Sequence, residues 1–156
     1  MQLTSFFHRS NRDFLKFLIS PGQRVLQLGC GRGILLDALS PSFGLGIECD
    51  PETVSNARQQ FPLLSFECGD SEDTAFVNKM VAMGPFDIIL LDHILEFSGD
   101  IQKLLDGLRP LCANHTRIIA TYDGYIWEPF FKLAEALNIR KPFPGTKWLR
   151  LTDIAN

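Results

Sequence analysis

Apolar and polar residues follow one another along this chain in segments whose spacing changes from one segment to the next. Apolar residues at every third or fourth position are typical of an amphipathic helix, and a short apolar run bounded by turn residues is typical of a buried strand. The first segment predicts a helix that ends before Pro21-Gly22. Its apolar residues at helical spacing are Phe7, Phe14, Leu15 and Leu18.

The rest of the chain alternates between predicted strands and predicted helices. The strands are expected at residues 24–28, 45–48, 64–68, 86–91 and 116–121. The helices are expected at residues 34–39, 51–60, about 71–83, 101–108 and about 128–137. Asp50 as N-cap and Pro51 at the first position favour a helix start there. This alternation predicts a parallel sheet with right-handed crossovers, and the nearly all-apolar run 86–91 predicts a central strand covered on both faces.

Composition places the chain among ordinary globular domains. It has 156 residues, of which 46% are apolar and 21% charged, and a formal net charge of −3. No cluster of Lys and Arg is present, so a nucleic-acid partner is not expected. No apolar run approaches the ~20 residues that cross a bilayer, and charged residues interrupt the first twenty residues, so we expect no membrane segment and a cytoplasmic protein.

The four cysteines show no spacing typical of a metal site or a redox motif. Cys30, Cys49, Cys68 and Cys112 form no C-x-x-C pair and have no suitably spaced histidines. We therefore expect reduced and mostly buried cysteines, and no bound metal.

A glycine-rich turn, Gly29 to Gly33, lies between the first predicted strand and its helix. In an open parallel sheet this turn is the usual ligand contact, because glycines let the backbone approach a ligand closely. A tight packing turn without a ligand is the alternative. The dinucleotide fingerprint needs a third small residue where Ile34 stands, which disfavours an NAD-dependent oxidoreductase.

The stretch from Val25 to Gly33, VLQLGCGRG, resembles motif I of the class I S-adenosyl-L-methionine (SAM) dependent methyltransferases. The resemblance implies a Rossmann-like, doubly wound α/β fold with SAM as the cofactor. Gln27 stands where the family usually has an acidic residue that helps to hold the methionine amino group. The residues of this motif that the resemblance places at the cofactor are Gln27, Gly29, Cys30, Gly31 and Gly33.

Two later segments are similar to further cofactor motifs of the same family. Glu48 follows Gly29 by 19 residues and matches the acid that accepts hydrogen bonds from the ribose hydroxyls, with Cys49 beside it. Asp70 and Ser71 match the motif after the third strand, whose aspartate contacts the adenine amino group. A helix N-cap is the alternative role for Asp70.

The segment from Phe86 to Phe97 resembles the family's fourth-strand motif. The resemblance makes Asp87 structural and places Asp92 and His93 beside the transferred methyl group. Because an imidazole gains and loses a proton near neutral pH, His93 is the candidate base for a hydroxyl acceptor, and Asp92 could orient it or hold the substrate. Phe97 stands where many members have histidine.

The resemblance covers roughly residues 22–121, and a looser likeness to MetW-type and type 11-12 methyltransferase domains continues through Trp127 and Trp148. It implies methyl transfer to a small-molecule acceptor, with a hydroxyl favoured. Aromatic residues after the fifth strand could line the acceptor pocket. The alternative is an inactive SAM-binding or interaction module of a larger protein.

Five strands can be traced, in the expected order 3-2-1-4-5, whereas the complete family fold has seven. We therefore expect residues 1–156 to be one domain that is truncated at its C-terminus, without the last two strands. Strand 116–121 would then be a sheet edge that lacks the proline or lysine that commonly protects such edges. A homodimer formed through this edge is a further expectation.

Overall fold

Five parallel strands form a single sheet in the computed structural model, which describes residues 11–70, 73–95 and 98–121. The strand order is β3-β2-β1-β4-β5, which confirms the predicted doubly wound arrangement. The strands are β1 (Arg24–Leu28), β2 (Phe43–Glu48), β3 (Ser65–Cys68), β4 (Phe86–Asp92) and β5 (Cys112–Thr121).

Among the described residues, five helices connect or flank these strands. They are α1 (helical over residues 11–18), α2 (Ile34–Ala38), α3 (Pro51–Gln60), α4 (Thr74–Met80) and α5 (Ile101–Leu108). Short 3-10 turns, Val81–Met83 and Arg109–Leu111, extend α4 and α5. No helix in the described part of the chain is long and apolar enough to cross a membrane. The helix predicted near residues 128–137 lies outside the described residues.

Local capping explains where two of the helices begin. Asp50 accepts a hydrogen bond from the Thr53 amide at 2.9 Å, with Pro51 next to it, as predicted for α3. Asp100 caps α5 in the same way, through the Lys103 amide at 3.0 Å. By contrast, α4 begins at Thr74, three residues later than expected, so Asp70 lies in a loop and is not its N-cap residue.

The sheet is covered on both faces, as the apolar run of β4 predicted. One face of β1, β2 and β4 packs against α4 and α5, and the other packs against α1, α2 and α3. Side chains alternate between these two cores along a strand, so Ile88 and Leu90 face one core while Ile89 and Leu91 face the other. Burial of each such side chain contributes about 1.5–3 kcal/mol relative to leaving it exposed to water.

Strand β5 begins four residues earlier than predicted, and this additional first part pairs irregularly with β4. Its register against β4 shifts between Phe86, which pairs with Cys112, and Ile88, which pairs with Arg117. The Thr116 hydroxyl bridges this irregularity: it donates to the Phe86 carbonyl at 2.6 Å and accepts from the Ala113 amide at 2.7 Å. No described strand pairs with the outer edge of β5, where Ile118 is 43% exposed. Self-association through this edge stays a prediction.

The cysteines do not follow the expectation that most of them would be buried. All four are free, but Cys30 is buried, Cys112 is half-buried, and Cys49 and Cys68 are exposed. The expectation was wrong because Cys68 ends β3 and Cys49 directly follows β2, where the chain leaves the sheet. The apolar character of the preceding strands does not extend to these positions.

At the amino edge of the sheet, Asp87 joins three strands. Its carboxylate accepts a hydrogen bond from the Arg24 amide at 2.7 Å and contacts the His115 imidazole at 2.9 Å. The Arg24 bond lowers the pKa of Asp87 below its ordinary value of 3.8; partial burial opposes this effect, and His115 adds to it. Asp87 is therefore a structural group that links β4 to β1 and β5.

We predict that Asp87→Asn lowers the free energy of unfolding by about 2 kcal/mol at neutral pH, because it removes a charge-assisted hydrogen bond. Because the folded-state pKa is lowered, this contribution is present above the unfolded-state pKa and is lost as the pH falls through the folded-state value. The difference between wild type and variant should therefore shrink below about pH 4 in urea titrations.

The control for this prediction is Asp106→Asn, which removes an exposed carboxylate paired only with exposed Arg109. Its effect should be small at every pH, because exposed pairs contribute little. A deficit of Asp87→Asn that stays constant down to pH 2 would contradict the assigned cause.

Candidate active site

The carboxyl ends of all five strands meet at one edge of the sheet, and the glycine turn lies at the centre of that edge. Gly29, Gly31 and Gly33 have φ values of +69°, +50° and +78°, in the left-handed region that favours glycine. A Cβ atom on Gly29 would lie 2.8 Å from the main-chain oxygen of Asp92 and 2.9 Å from Ile94. The absence of a side chain at Gly29 thus lets the turn lie against the end of β4.

The other two glycines have different surroundings. A Cβ atom on Gly33 would lie 2.6 Å from the Phe66 ring, so Gly33 is required for packing. A Cβ atom on Gly31 would meet nothing within 4 Å, so the turn is open to a ligand at that residue. The predicted close approach of backbone to ligand is therefore possible at Gly31.

Glu48, at the end of β2, is held by main-chain amides. One carboxylate oxygen accepts from the Gly31 amide at 3.0 Å, and the other accepts from the Cys49 amide at 2.8 Å and contacts the Cys49 sulfur at 3.2 Å. The Asp50 amide also lies 3.5 Å from this second oxygen, so the oxygen that faces Gly31, with one contact, is the one that keeps a lone pair for a ligand donor. The Glu48 carboxylate is thus fixed next to the glycine turn and keeps capacity to bind.

Cys30 points its side chain away from this edge. It is 6% exposed, belongs to the core next to α1–α3, and its sulfur lies 2.7 Å from the position that a Cβ atom on Gly46 would take. Burial, together with the nearby Glu48 charge, raises the pKa of the Cys30 thiol to about 12. Its side chain is therefore inert, and its contribution to the turn is the main-chain oxygen that accepts from the Gly33 amide at 2.9 Å.

Cys49 and Cys68 lie side by side where β2 and β3 end. Glu48 is the register partner of Cys68, and the Gly69 amide donates to the Glu48 carbonyl at 3.1 Å. The Cys68 thiol contacts the Cys49 carbonyl at 3.5 Å. The hydrogen bond with the Glu48 carboxylate raises the pKa of Cys49, so its thiol stays protonated.

Gln27 and Asp92 form a polar pair between β1 and β4. Gln27 is fully buried, and its amide nitrogen donates to one Asp92 oxygen at 3.3 Å. The Thr121 hydroxyl donates to the other Asp92 oxygen at 2.6 Å. Within the described part of the chain, the Gln27 side-chain oxygen is buried with no hydrogen-bond partner, which is costly unless a ligand donor supplies one. This pair is therefore suited to receive a positively charged donor.

His93 follows Asp92 in a strained backbone conformation. Its φ of +55° is rare for a residue other than glycine, and its amide donates to the Thr121 carbonyl at 3.1 Å. The side chain is half-buried and belongs to the residue that follows Asp92 in the chain. Strained residues of this kind cluster at functional sites.

The predicted adenine-contact residues are only partly described. Asp70 is exposed in the loop after β3, and its carbonyl accepts from the Asp73 amide at 3.1 Å. Ser71 and Phe97 lie outside the described residues. Asp70 thus lies at the predicted edge of the sheet, beyond the ends of β2 and β3.

Two residues that support the site were not identified from the sequence. Thr121 is the register partner of Asp92 and binds its carboxylate, but only strand alignment reveals this pairing. Phe66 lies beneath the glycine turn, against Gly33 and Gly46. The apolar Phe66 between polar neighbours in β3 predicts a buried side chain, but it does not predict that this side chain contacts the glycine turn.

Comparison with known proteins agrees with this geometry. The family described as "Methionine biosynthesis protein MetW" matches residues 9–151. The ribosomal protein L11 methyltransferase of Burkholderia multivorans is 35% identical over 82 residues, which are 50% of this chain and 25% of that protein. The chain thus spans about a quarter of the length of the curated relatives it matches.

Solved structures with this fold include several methyltransferases. The magnesium protoporphyrin IX methyltransferase of Synechocystis PCC 6803, with bound SAH (S-adenosylhomocysteine), has a TM-score of 0.72 and 18% identity, covering 94% of this chain and 69% of that chain. A TehB-like SAM-dependent methyltransferase from Corynebacterium glutamicum has a TM-score of 0.60 and 18% identity, covering 87% of this chain and 82% of that chain. At this identity the likeness concerns the fold.

We predict that Gly29→Ala lowers the free energy of unfolding by about 2–4 kcal/mol, because it combines left-handed strain with a main-chain collision. Gly22→Ala is the matched control, because Gly22 has a φ of +81° and open space around its Cβ position. It should cost only about 1–2 kcal/mol, from the strain alone. Equal losses for the two variants in urea unfolding would mean that the contact with Asp92 has no energetic role.

Proposed function

This chain belongs to the MetW family, and we propose that it is a SAM-dependent methyltransferase that acts on a small-molecule acceptor. The observation that carries the proposal is that two hydrogen-bond acceptors lie on opposite sides of an open glycine turn. One is the Glu48 carboxylate, and the other is the buried Gln27 oxygen, which has no partner among the described residues. The arrangement offers acceptors for both polar ends of a SAM molecule. SAM supplies a methyl group on a sulfonium sulfur, and displacement of that methyl leaves a neutral thioether.

The nucleoside end of the proposed site is formed by the ends of β2 and β3. Glu48 is positioned by the Gly31 and Cys49 amides, and the oxygen that faces Gly31 keeps a lone pair suited to a ribose hydroxyl. Cys49 and Asp70 extend this surface toward the place where an adenine ring would lie. Such an array fits a nucleoside, and the residue at position 34, Ile34, still disfavours a dinucleotide.

The methionine end lies between β1 and β4. A substrate ammonium group would give the Gln27 oxygen the donor that it lacks, and the Asp92 carboxylate would supply the opposite charge. Asp92 has a donor on each oxygen, from Gln27 and Thr121, so its position is fixed before any ligand binds. The glutamine at position 27 thus does not remove negative charge from this end of the site, because Asp92 carries it.

His93 is the proposed base. It follows Asp92 directly, and its backbone is fixed by the bond from its amide to Thr121. If the acceptor is a hydroxyl, its proton must leave as the oxygen attacks the methyl carbon, and a neutral imidazole can accept that proton near neutral pH. The remaining contribution of the chain is orientation, because an in-line displacement depends on alignment of the acceptor with the leaving sulfur.

A module that binds SAM without transferring its methyl group is the second candidate. The specific observation in its favour is the neutral residue at position 27, where the related family motif has an acid. Both candidates require nucleoside binding, but only the enzyme produces SAH from SAM when an acceptor is present. The two are therefore distinguished by turnover and not by affinity.

We predict that SAM and SAH bind with micromolar affinity and that NAD does not bind.

Glu48→Ala should weaken SAH binding by about 1–3 kcal/mol, because the ribose hydroxyls and the Gly31 amide lose their acceptor. Isothermal calorimetry measures both effects. Glu67→Gln is the control, because it removes a carboxylate from neighbouring β3 that pairs with Arg58. Unchanged SAH affinity in Glu48→Ala would exclude Glu48 from the site, and NAD binding without SAM binding would refute the cofactor.

We also predict that His93→Asn slows methyl transfer to a hydroxyl acceptor by about 10²–10⁴-fold and leaves SAH affinity unchanged, because asparagine tolerates the left-handed backbone but cannot act as the base. Pools of hydroxylated and carboxylated metabolites are incubated with SAM, and SAH release is measured. The wild-type rate should fall as the pH drops and the imidazole protonates, whereas the residual rate of the variant should not.

His115→Asn is the matched control, because His115 is exposed at the opposite edge of the sheet. It should retain the wild-type rate and pH profile. Release of no SAH from any pool would favour the binding module. Full activity in His93→Asn would remove His93 from the proton transfer.

A further inference from the structure

Two exposed thiols lie at the nucleoside end of the site, and the methyl-transfer mechanism uses neither sulfur. Cys49 follows the last residue of β2, and Cys68 is the last residue of β3. The Cys68 sulfur lies 3.5 Å from the Cys49 carbonyl, and the Cys49 sulfur lies 3.2 Å from the neighbouring Glu48 carboxylate. Both sulfur atoms therefore lie close to the segment formed by Glu48 and Cys49.

The backbone spacing between these cysteines suits a disulfide. Cys68 pairs in register with Glu48, and Cys49 is the next residue, directly after β2. With strands about 4.8 Å apart and a rise of about 3.3 Å per residue, the diagonal Cα separation is roughly 5.8 Å. Disulfides span Cα separations of about 4.4–6.8 Å. Because Cys49 lies in the bend after β2, a bond between the two sulfurs needs this bend to turn the Cys49 side chain toward Cys68, while the paired strands keep their positions.

We infer that Cys49 and Cys68 are an oxidisable dithiol whose disulfide closes the nucleoside end of the site. The oxidation itself is independent of the reaction the protein catalyses. The effect on the nucleoside rests on the proposed function.

The chemistry balances with one hydroperoxide as oxidant. The Cys68 thiolate attacks a peroxide oxygen, the O–O bond breaks, and a sulfenic acid forms with release of one water. The Cys49 sulfur then attacks the sulfenic sulfur and gives up its proton, the S–S bond forms, and the hydroxyl leaves with that proton as a second water. Two thiols lose two protons and two electrons, and H₂O₂ gains both. Cys68 reacts first because the Glu48 carboxylate holds Cys49 in its thiol form.

The disulfide changes the surface that the nucleoside would contact. It takes the Cys49 sulfur away from the Glu48 carboxylate and places a covalent bridge across the ends of β2 and β3. Glu48 is held partly by the Cys49 amide, so a shift of Cys49 also disturbs the proposed ribose acceptor. Oxidation should therefore weaken nucleoside binding.

Other roles for this pair fit the structure less well. No group of three or more His, Cys, Asp or Glu side chains in the described part of the chain could hold a metal ion, so two thiols alone lack the ligands of a zinc site. The other cysteines are poor disulfide partners. Cys30 is buried, and Cys112 begins β5 at the opposite edge of the sheet.

The test uses the full chain, reduced and then treated with stoichiometric H₂O₂. Tryptic cleavage after Arg32, Arg58 and Lys79 puts Cys49 and Cys68 on separate peptides, so non-reducing mass spectrometry identifies their bridge directly. SAH affinity is measured before oxidation, after oxidation and after re-reduction. We expect a linked peptide pair, a fall in SAH affinity of about tenfold or more, and recovery with reductant.

Cys49→Ser and Cys68→Ser should each lose the bridge, and the SAH affinity of each variant should be insensitive to peroxide. Cys112→Ser is the matched control and should keep both the bridge and the response. A bridge between other cysteines, or none, overturns the dithiol. A Cys49–Cys68 bridge with unchanged SAH affinity overturns the closure. Absence of SAH binding by the reduced chain overturns the proposed function and the closure, while the peptide map still decides the dithiol.

Discussion

The contact between Gly29 and the main-chain oxygen of Asp92 is the constraint on which the rest of the site depends. Because Gly29 has no side chain, the turn after β1 lies directly against the end of β4. That position brings the Gly31 amide to Glu48 on β2, while Gln27, at the end of β1, reaches Asp92 on β4. One glycine thus lets β1 contact the proposed binding carboxylates of both neighbouring strands, Glu48 on β2 and Asp92 on β4.

The distribution of charge at this edge follows from burial. Gln27 is fully buried, and a carboxylate in its place would need strong pairing to offset its desolvation. The charge instead lies on half-buried Asp92, where donors from Gln27 and Thr121 stabilise it. A neutral side chain with a free buried oxygen and a fixed carboxylate beside it can together receive an ammonium group. The change at position 27 therefore need not remove the chemistry of this site.

Local signals were enough to predict most of the fold. Helix α3 was predicted to the residue because Asp50 and Pro51 mark its start, and β1 and α5 also match their predicted bounds. The start of α4 was missed by three residues, and the exposure of Cys49 and Cys68 was not expected. Both errors fall where the chain leaves the sheet, since local pattern does not describe how a loop is directed. The role of Thr121 depends on its alignment with Asp92 across two strands that are far apart in the sequence. A single sequence carries no information on that alignment.

The two carboxylates of β4 show why residue type alone does not define a site. Asp87 and Asp92 are five positions apart, and each accepts two contacts from neighbouring strands. At the amino edge, the partners of Asp87 are the Arg24 amide and an imidazole, and the Arg24 side chain packs against Phe43, so this network is structural. At the carboxyl edge, one partner of Asp92 is Gln27, which brings a further acceptor with no donor of its own. An incomplete hydrogen-bond network, next to a turn that glycine keeps open, distinguishes the proposed binding carboxylate, Asp92, from the structural carboxylate of Asp87 on the same strand.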